Sequence, residues 1–139
     1  MSPRLLLTSD PDLAARQPIL AGLQEYNRQQ VPGESQLLAV LLLDEQNTTI
    51  GGLWGRTYYD WLFVELLFVP EALRGQNLGT RLLQEAEQAA RQRGCQHVHL
   101  DTFGFQAKDF YVKQGYTVFG QLENYPTGFT RYFLRKALS

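Results

Sequence analysis

The chain has 139 residues, 44% of them hydrophobic and 19% charged, which is the composition of a folded domain rather than of a disordered segment. Its formal net charge of -1 argues against nucleic acid as a partner, because nucleic-acid-binding domains carry a basic surface. The single cysteine, Cys95, excludes an internal disulfide, and the apolar run at the N-terminus is too short for a signal peptide or membrane span. We therefore expect one cytoplasmic domain over residues 1–139, without a membrane partner.

The N-terminal segment predicts a short strand and then a helix. Three leucines at residues 5–7 form the expected first strand. Asp10 is a candidate helix cap, with Pro11 in the first helical position. Pro18 is expected to interrupt or restart the helix, because proline has no backbone donor. The apolar residues that follow share one helical face: Ile19, Leu20, Leu23 and Tyr26.

Three strands are expected next, as an antiparallel meander. Residues 35–44 (SQLLAVLLLD) are apolar enough to be covered on both faces of the sheet. Residues 49–59 (TIGGLWGRTYY) and 61–69 (WLFVELLFV) form the next two strands, joined by a short turn near Asp60.

A long helix is predicted from about Leu78 to Arg93. Glu87 and Arg91 have the spacing of a favourable exposed ion pair, and Gly94 is placed to end the helix in a left-handed conformation. The apolar stripe that should face the core consists of Leu82, Leu83, Ala86 and Ala90.

The C-terminal part predicts a strand over 97–103, a short helix over 107–115 and two strands over 116–122 and 130–138. The whole order is β-α-β-β-β-α-β-α-β-β, an α/β fold with a mixed sheet. Its central strand–helix–strand unit should be a right-handed parallel crossover.

The segment RGQNLGT, residues 74–80, lies between a predicted strand and the long helix. A helix N-terminus has unpaired amides and partial positive charge, so phosphate is its natural ligand. Gly75 and Gly79 would let the backbone approach a bulky anion, and Asn77 tolerates a left-handed conformation. The spacing is neither that of a P-loop nor that of a dinucleotide fingerprint. By itself the segment fits a plain strand-to-helix turn equally well.

The wider context of this segment resembles the acetyl-CoA signature of the GNAT superfamily of N-acetyltransferases, which reads Arg/Gln-x-x-Gly-x-Gly/Ala after a strand. Arg74, Asn77 and Gly79 occupy its three places, with asparagine in place of the usual glycine. The resemblance covers about Leu37 to Leu138.

A second family motif, Asn-x-x-Ala-x-x-Phe/Leu-Tyr-x-x-x-Gly-Phe/Tyr, is similar to QAKDFYVKQGY and the residues before it. Gly104 stands in the asparagine place. The matching residues are Ala107, Phe110, Tyr111, Gly115 and Tyr116.

The resemblance implies a V-shaped split between the fourth and fifth predicted strands, 61–69 and 97–103, in which acetyl-CoA lies as co-substrate. Strand backbone would pair with the pantetheine arm, a bulge would aim one amide at the thioester carbonyl, and the turn amides would hold the pyrophosphate. The implied cofactor-binding residues are Leu67, Phe68, Val69, Arg74, Gly75, Gln76, Asn77, Leu78, Gly79, Thr80 and Phe110.

The resemblance also implies catalytic roles. Tyr111 would be the general acid that protonates the departing thiolate, although a tyrosine packing against the sheet is the alternative. Glu65 would be the base, acting through water; it could equally lie on an exposed strand face or bind a neighbouring arginine. Asp101 is the competing base.

The acceptor site implied by the resemblance is formed by the N-terminal helices, the third predicted strand and the 123–129 loop. We expect a small-molecule primary amine that attacks acetyl-CoA directly in a ternary complex. A protein lysine or N-terminus, or a CoA-binding sensor without turnover, is the alternative; a homodimer is compatible with the family. Candidate acceptor residues are Trp54, Arg56, Tyr58, Asp101, Tyr125 and Phe129.

His97, His99 and Asp101 alternate along one strand and could begin a metal site. The remaining ligands are missing from the sequence, so packing is the favoured interpretation and no metal is expected. Cys95 is interpreted as a small buried apolar residue.

Overall fold

The computed structural model describes residues 2–138, which divide into a unit that ends at Gly33 and a unit that begins at Glu34. The first unit contains a 3₁₀ turn, Leu13–Ala15, and helix α1, Arg16–Gln30. The prediction of a strand at residues 5–7 is wrong, because among residues 2–138 this segment is not assigned to any strand.

The predicted start of the first helix is also wrong. Asp12, not Asp10, is the cap residue, and it caps the 3₁₀ turn before α1 by accepting a hydrogen bond of 2.9 Å from the Ala14 amide. Pro18 is the third residue of α1, and in the first turn its missing N–H costs no helical hydrogen bond. The proline therefore does not interrupt the helix.

The second unit is a six-stranded mixed sheet in the order β1-β2-β3-β4-β6-β5. Only β3 and β4 are parallel neighbours; the other neighbours are antiparallel. The strands are β1 (Gln36–Leu43), β2 (Thr49–Tyr58), β3 (Trp61–Phe68), β4 (His97–Phe103), β5 (Thr117–Glu123) and β6 (Thr130–Ala137). The helices of this unit are α2 (Leu78–Gln92) and α3 (Lys108–Lys113). The predicted mixed α/β fold is confirmed.

No helix in the described part of the chain is long and apolar enough to cross a membrane.

Local sequence accounts for the turns of this unit. Tyr59 and Asp60 both have positive φ, 49° and 70°, as a two-residue hairpin between β2 and β3 requires. Gly94 has a φ of 88° just after α2, so the predicted left-handed helix end is confirmed.

The core lies between α2 and one face of the sheet. Leu82, Leu83, Ala86 and Ala90 of α2 are buried, as the helical stripe predicts. Their neighbours in the core are alternate residues of the strands, which include Leu53, Leu62, Val98, Leu100 and Leu134.

Two predictions about exposure are wrong. β1 is an edge strand, and the exposure of its residues alternates, with Leu38 buried and Leu37 and Leu41 exposed. The strand is therefore not covered on both faces. Glu87 is 3% exposed instead of pairing with Arg91 on the surface.

Glu87 connects α2 to the C-terminal elements. Its Oε2 accepts a hydrogen bond of 2.7 Å from the Tyr116 hydroxyl, and its Oε1 lies 2.9 Å from Lys136 Nζ. Burial, with Glu87 beside it, raises the pKa of Tyr116, so the phenol stays protonated and remains a donor. This network fixes α2, which carries the RGQNLGT turn at its start, against β6.

The most consequential feature of the sheet is where the pairing of β3 and β4 stops. The two strands pair from Trp61–His97 to Val64–Leu100 and no further. At the same point the β2–β3 register shifts, with Trp54 opposite Leu66 and Gly55 opposite Val64, so that Glu65 is an extra, bulged residue. The ends of β3 and β4 diverge from there, and the predicted V-shaped split is confirmed.

We predict that Tyr116→Phe lowers the free energy of unfolding by about 1.5–3 kcal/mol, because it removes a buried hydrogen bond to a carboxylate. Chemical denaturation measures the change. Tyr132→Phe is the matched control, since the Tyr132 hydroxyl has no hydrogen bond among residues 2–138, and it should change stability by less than about 0.5 kcal/mol. Equal effects of the two substitutions would contradict the role given to the Glu87 network.

Candidate active site

A cleft of about 620 Å³ opens beside the free end of β3. The end of β3, the RGQNLGT turn with the start of α2, and the 105–110 segment line it, so it occupies the split that the sheet leaves open. The lining residues are Leu67, Phe68, Val69, Leu73, Arg74, Gly75, Asn77, Leu78, Gly79, Thr80, Phe105, Gln106, Ala107 and Phe110.

The start of α2 presents free backbone donors to this cleft. The first bond of the helix is donated by the Arg81 amide to the Asn77 carbonyl, at 3.0 Å, so the amides of Leu78, Gly79 and Thr80 have no helical partner. Asn77 has a φ of 61° and a ψ of 21°, the left-handed conformation anticipated for an asparagine in the usual glycine place. Asparagine therefore reproduces the turn that a glycine would form.

The turn carries one positively charged side chain, Arg74, and a hydrogen bond fixes its position. Arg74 is the only charged residue of the lining, and its Nε donates to the Val69 carbonyl at 3.1 Å. Arg74 thus braces the turn against the end of β3 while adding positive charge to the helix N-terminus. Gln76 is the one residue of the predicted cofactor set that does not line the cleft.

Gly79 is needed for the close approach of α3. A Cβ atom at this position would lie 3.3 Å from Cζ of Phe110, a residue of α3 that also lines the cleft. A second contact joins the same two helices, since Gln114 Nε2 donates to Thr80 Oγ1 at 3.1 Å.

The predicted cofactor-binding set lacks four lining residues, Leu73, Phe105, Gln106 and Ala107, although Ala107 belongs to the second family motif. Gln106 closes the loop that carries most of them, because its Oε1 accepts a 2.7 Å bond from the Phe103 amide. The second family motif, whose first place is Gly104, is the signal in the sequence that points to this loop.

Gly104 stands where the second family motif has asparagine, and the structure explains why a glycine is needed there. Its amide donates to the Thr130 carbonyl at 2.7 Å, and a Cβ atom would lie 2.9 Å from the same oxygen. The approach of β6 therefore leaves no room for an asparagine side chain.

Tyr111 lies on α3 next to Phe110 and is 6% exposed. Its ring packs edge-on against Phe110 and Tyr116 at 5.2 and 5.8 Å. The hydroxyl makes no hydrogen bond to any residue between 2 and 138. Burial, with a smaller effect of Asp101, raises its pKa to about 12, so the phenol is protonated at neutral pH.

The two candidate bases are the first residues beyond the last β3–β4 pair, one on each arm of the split. Glu65 forms a single contact of 3.3 Å with Nη2 of Arg56, and its side chain is 41% exposed. Asp101 is held more firmly: Oδ1 accepts from Nε of Arg131 at 3.0 Å and also from Nη2, and the side chain is 24% exposed. Glu65 is therefore the more accessible carboxylate.

The predicted acceptor residues fall into two groups, one for each arm. Trp54, Arg56 and Tyr58 alternate along β2 and share a face of the sheet. Tyr125 belongs to the β5–β6 loop and lies with Asp101 around Arg131, whose guanidinium carbon is 4.8 Å from the Tyr125 ring centre. Phe129 ends the same loop.

The two histidines pack against aromatic rings. His97 stacks on Trp61 with a centroid distance of 4.5 Å, and His99 stacks on Phe63 at 4.8 Å. Burial lowers the pKa of His99, although Asp101 opposes this effect. The packing interpretation is confirmed, and Cys95 is buried as expected.

Comparison with known proteins agrees with the cleft. The model of the acetyltransferase (GNAT) family matches residues 8–116. The chain is 38% identical over 130 residues to the acetyltransferase Atu2258 of Agrobacterium fabrum, covering 92% of this chain and 91% of that protein. It is also 38% identical over 104 residues to blasticidin-S acetyltransferase of Streptomyces morookaense, covering 74% and 76%.

Solved structures show the same architecture. A crystal structure of an acetyltransferase from Bacillus cereus superposes with a TM-score of 0.78 and 29% identity, over 95% of this chain and 97% of that one. The split sheet, the turn at the start of α2 and these relatives lead to one conclusion: the chain belongs to the GNAT family and is an acetyl-CoA-dependent acetyltransferase.

Proposed function

We propose that the protein transfers the acetyl group of acetyl-CoA to a primary amine of a small molecule, by direct attack in a ternary complex. The observation that carries the proposal is that the split in the sheet and the RGQNLGT turn line the same cleft. The end of the third strand, Leu67 to Val69, which pairs with β2 but not with β4, lines one cleft together with the start of α2, where three amides have no helical partner. The strand end would pair with the pantetheine arm, and the amides would hold the pyrophosphate.

The small-molecule acceptor is supported by the relative that bears the name blasticidin-S acetyltransferase, which covers 74% of this chain. A protein lysine or N-terminus is the second candidate, and the charge of -1 favours neither. The requirement for acetyl-CoA and the lone cysteine fit a cytoplasmic enzyme. A homodimer stays a prediction.

A panel of small amines tests the proposal, with CoA release and acetylated product both measured, beside peptides with free lysines and N-termini. We expect product from small amines at much higher kcat/KM than from peptides. Acetylation of peptides alone would contradict the proposed acceptor class, and CoA binding without any product would indicate a sensor.

In the proposed mechanism the chain positions the reactants and moves two protons. Glu65 accepts, through water, the proton that the ammonium group of the acceptor must lose before attack. An amine of pKa about 10.4 needs about 4–5 kcal/mol for this step at neutral pH. β3 has a bulge at Glu65. In the proposed complex this bulge would aim one backbone amide of β3 at the thioester carbonyl, where a donor would stabilise the oxyanion. Tyr111 donates its proton to the departing sulfur.

Tyr111→Phe should lower kcat by about 100-fold or more without weakening acetyl-CoA binding, because general acid catalysis contributes about 10²–10⁴-fold. Steady-state kinetics and a binding titration separate the two effects. Tyr132→Phe, which also loses a tyrosine hydroxyl on the same unit, should keep the wild-type kcat. Full turnover by the Tyr111 variant would exclude the acid role.

The pH dependence should reflect the acceptor rather than the acid. Because burial raises the pKa of Tyr111 to about 12, the acid stays protonated throughout the range from about pH 6 to 10. We therefore expect kcat/KM to rise with pH as the acceptor amine is deprotonated, with no falling limb below pH 10. A falling limb in that range, absent from the Tyr111→Phe variant, would contradict the predicted pKa.

The two carboxylates at the split should respond differently to neutral substitution. Glu65→Gln should lower kcat/KM by about 10–100-fold at pH 7 with little loss of stability, because its contact with Arg56 is exposed and long. Asp101→Asn should mainly lower the thermal midpoint, because it breaks a two-donor, half-buried pair with Arg131. The reverse pattern would make Asp101 the base.

A further inference from the structure

A group of aromatic rings forms one wall at the mouth of the split; we call it the aromatic wall and define it as Phe103, Phe105, Tyr125 and Phe129. Phe103 stacks on Phe105 with centroids 5.3 Å apart and planes 7° apart. Phe105 meets Phe129 edge-on at 5.2 Å, and Phe103 meets Tyr125 at 5.5 Å. The four rings form a continuous set that joins the end of β4 to the β5–β6 loop.

The wall is open to solvent although it is apolar. Phe105 is 56% exposed, Phe129 47% and Tyr125 44%. Contiguous exposed aromatic surface is uncommon on a folded domain and marks a binding surface when it adjoins a cleft. Here it does adjoin one, because Phe105 belongs both to the wall and to the lining of the acetyl-CoA cleft.

Arg131 fixes the geometry of the wall. Its guanidinium carbon lies 5.0 Å from the ring centre of Phe103 and 4.8 Å from that of Tyr125, and the same group pairs with Asp101. Backbone bonds within the loop, from the Tyr125 amide to the Phe129 carbonyl at 3.0 Å, hold the two loop rings together. The rings are therefore positioned before any ligand arrives, which reduces the entropy cost of binding.

The aromatic rings and the positive charge of Arg131 determine which class of ligand the aromatic wall would bind best. Aromatic faces attract cations as well as flat rings. At this wall the guanidinium of Arg131 already lies over two of the rings and pairs with the carboxylate of Asp101, so a second cation would meet a group of like charge. A flat, uncharged ring meets no such penalty and gains stacking contact.

We infer that the acceptor carries a flat aromatic or heteroaromatic ring, which stacks on the aromatic wall while the amine points into the split. This inference rests on the proposed function, which it narrows from small amines in general to amines that bear such a ring. Tyr125 and Phe129 are then specificity-determining residues, and Arg131 is a positioning residue that holds the wall.

A matched pair of acceptors tests the inference: phenethylamine, whose ring is flat, and cyclohexylethylamine, whose ring is puckered and saturated. The two have the same primary amine on the same two-carbon arm. We expect wild-type kcat/KM to be roughly three- to tenfold higher for phenethylamine, the range that aromatic pairing adds beyond apolar burial. Tyr125→Leu and Phe129→Leu should bring the ratio close to one, mainly through a higher KM for phenethylamine, while KM for acetyl-CoA stays the same.

Phe119→Leu is the matched control, because Phe119 is equally exposed at 51% but lies on β5 against Phe133 and Arg135, outside the wall. This variant should keep the wild-type ratio. A wild-type ratio near one, a ratio unchanged in both wall variants, or an equal change in the Phe119 variant would overturn the inference.

Binding of the same two amines to the CoA-saturated protein, followed by NMR titration, separates this inference from the proposed function. A ring preference in binding without acetylation would support the wall and contradict the proposed function. Acetylation of both amines without any ring preference would leave the proposed function intact and overturn the wall. A preference for a diamine over phenethylamine would assign the wall to a second cation and would also overturn the inference.

Discussion

The point at which β3 and β4 stop pairing determines most of what this domain can do. The two strands share hydrogen bonds as far as Val64 and Leu100, and the bulge at Glu65 then turns β3 away. Beyond that point β3 still pairs with β2, and β4 still pairs with β6, but the two edges that face each other are open. Unpaired backbone groups on such edges are costly unless a ligand or water satisfies them. A linear ligand that carries its own amide groups would satisfy the open edge of β3, and this is the role we propose for the pantetheine arm of acetyl-CoA.

The same divergence brings the chemical groups together. The helix that follows β3 starts beside the open end, so its unpartnered amides face the same cleft as Leu67 to Val69. Glu65 and Asp101 stand at the apex, one on each arm, and each is neutralised by an arginine from a neighbouring strand. Glu65 has the longer contact with its arginine, and its side chain is more exposed than that of Asp101.

Features set by neighbouring residues were predictable from the sequence. The hairpin at Asp60, the glycine end of α2 and the left-handed Asn77 all follow from local backbone preferences. Most residues that line the cleft also belong to the predicted cofactor-binding set, because they lie in one continuous segment with a recognisable motif. Phe105 and Gln106 were missed, because they reach the cleft through a loop whose course depends on tertiary contacts.

Long-range partners account for the predictions that were wrong. Glu87 has the spacing of a surface ion pair with Arg91. Its partners are instead Tyr116 and Lys136, which are 29 and 49 residues away in the sequence, and Glu87 is buried where it contacts them. Residues 5–7 are apolar like a strand, yet they belong to none of the strands found within residues 2–138. β1 has the composition of a central strand and is at the edge, because the sheet order depends on all six strands.

The central claim is that the amides at the start of α2 hold the pyrophosphate of acetyl-CoA in the split, and calorimetric titration with acetyl-CoA tests it most directly. The wild-type protein should bind in the micromolar range, and Gly79→Glu should abolish binding by placing bulk and negative charge at those amides. Gly120→Glu, where no atom lies within 4 Å of an added Cβ, should bind like the wild type. Absence of binding by folded wild-type protein, or equally tight binding by the Gly79 variant, would contradict the account.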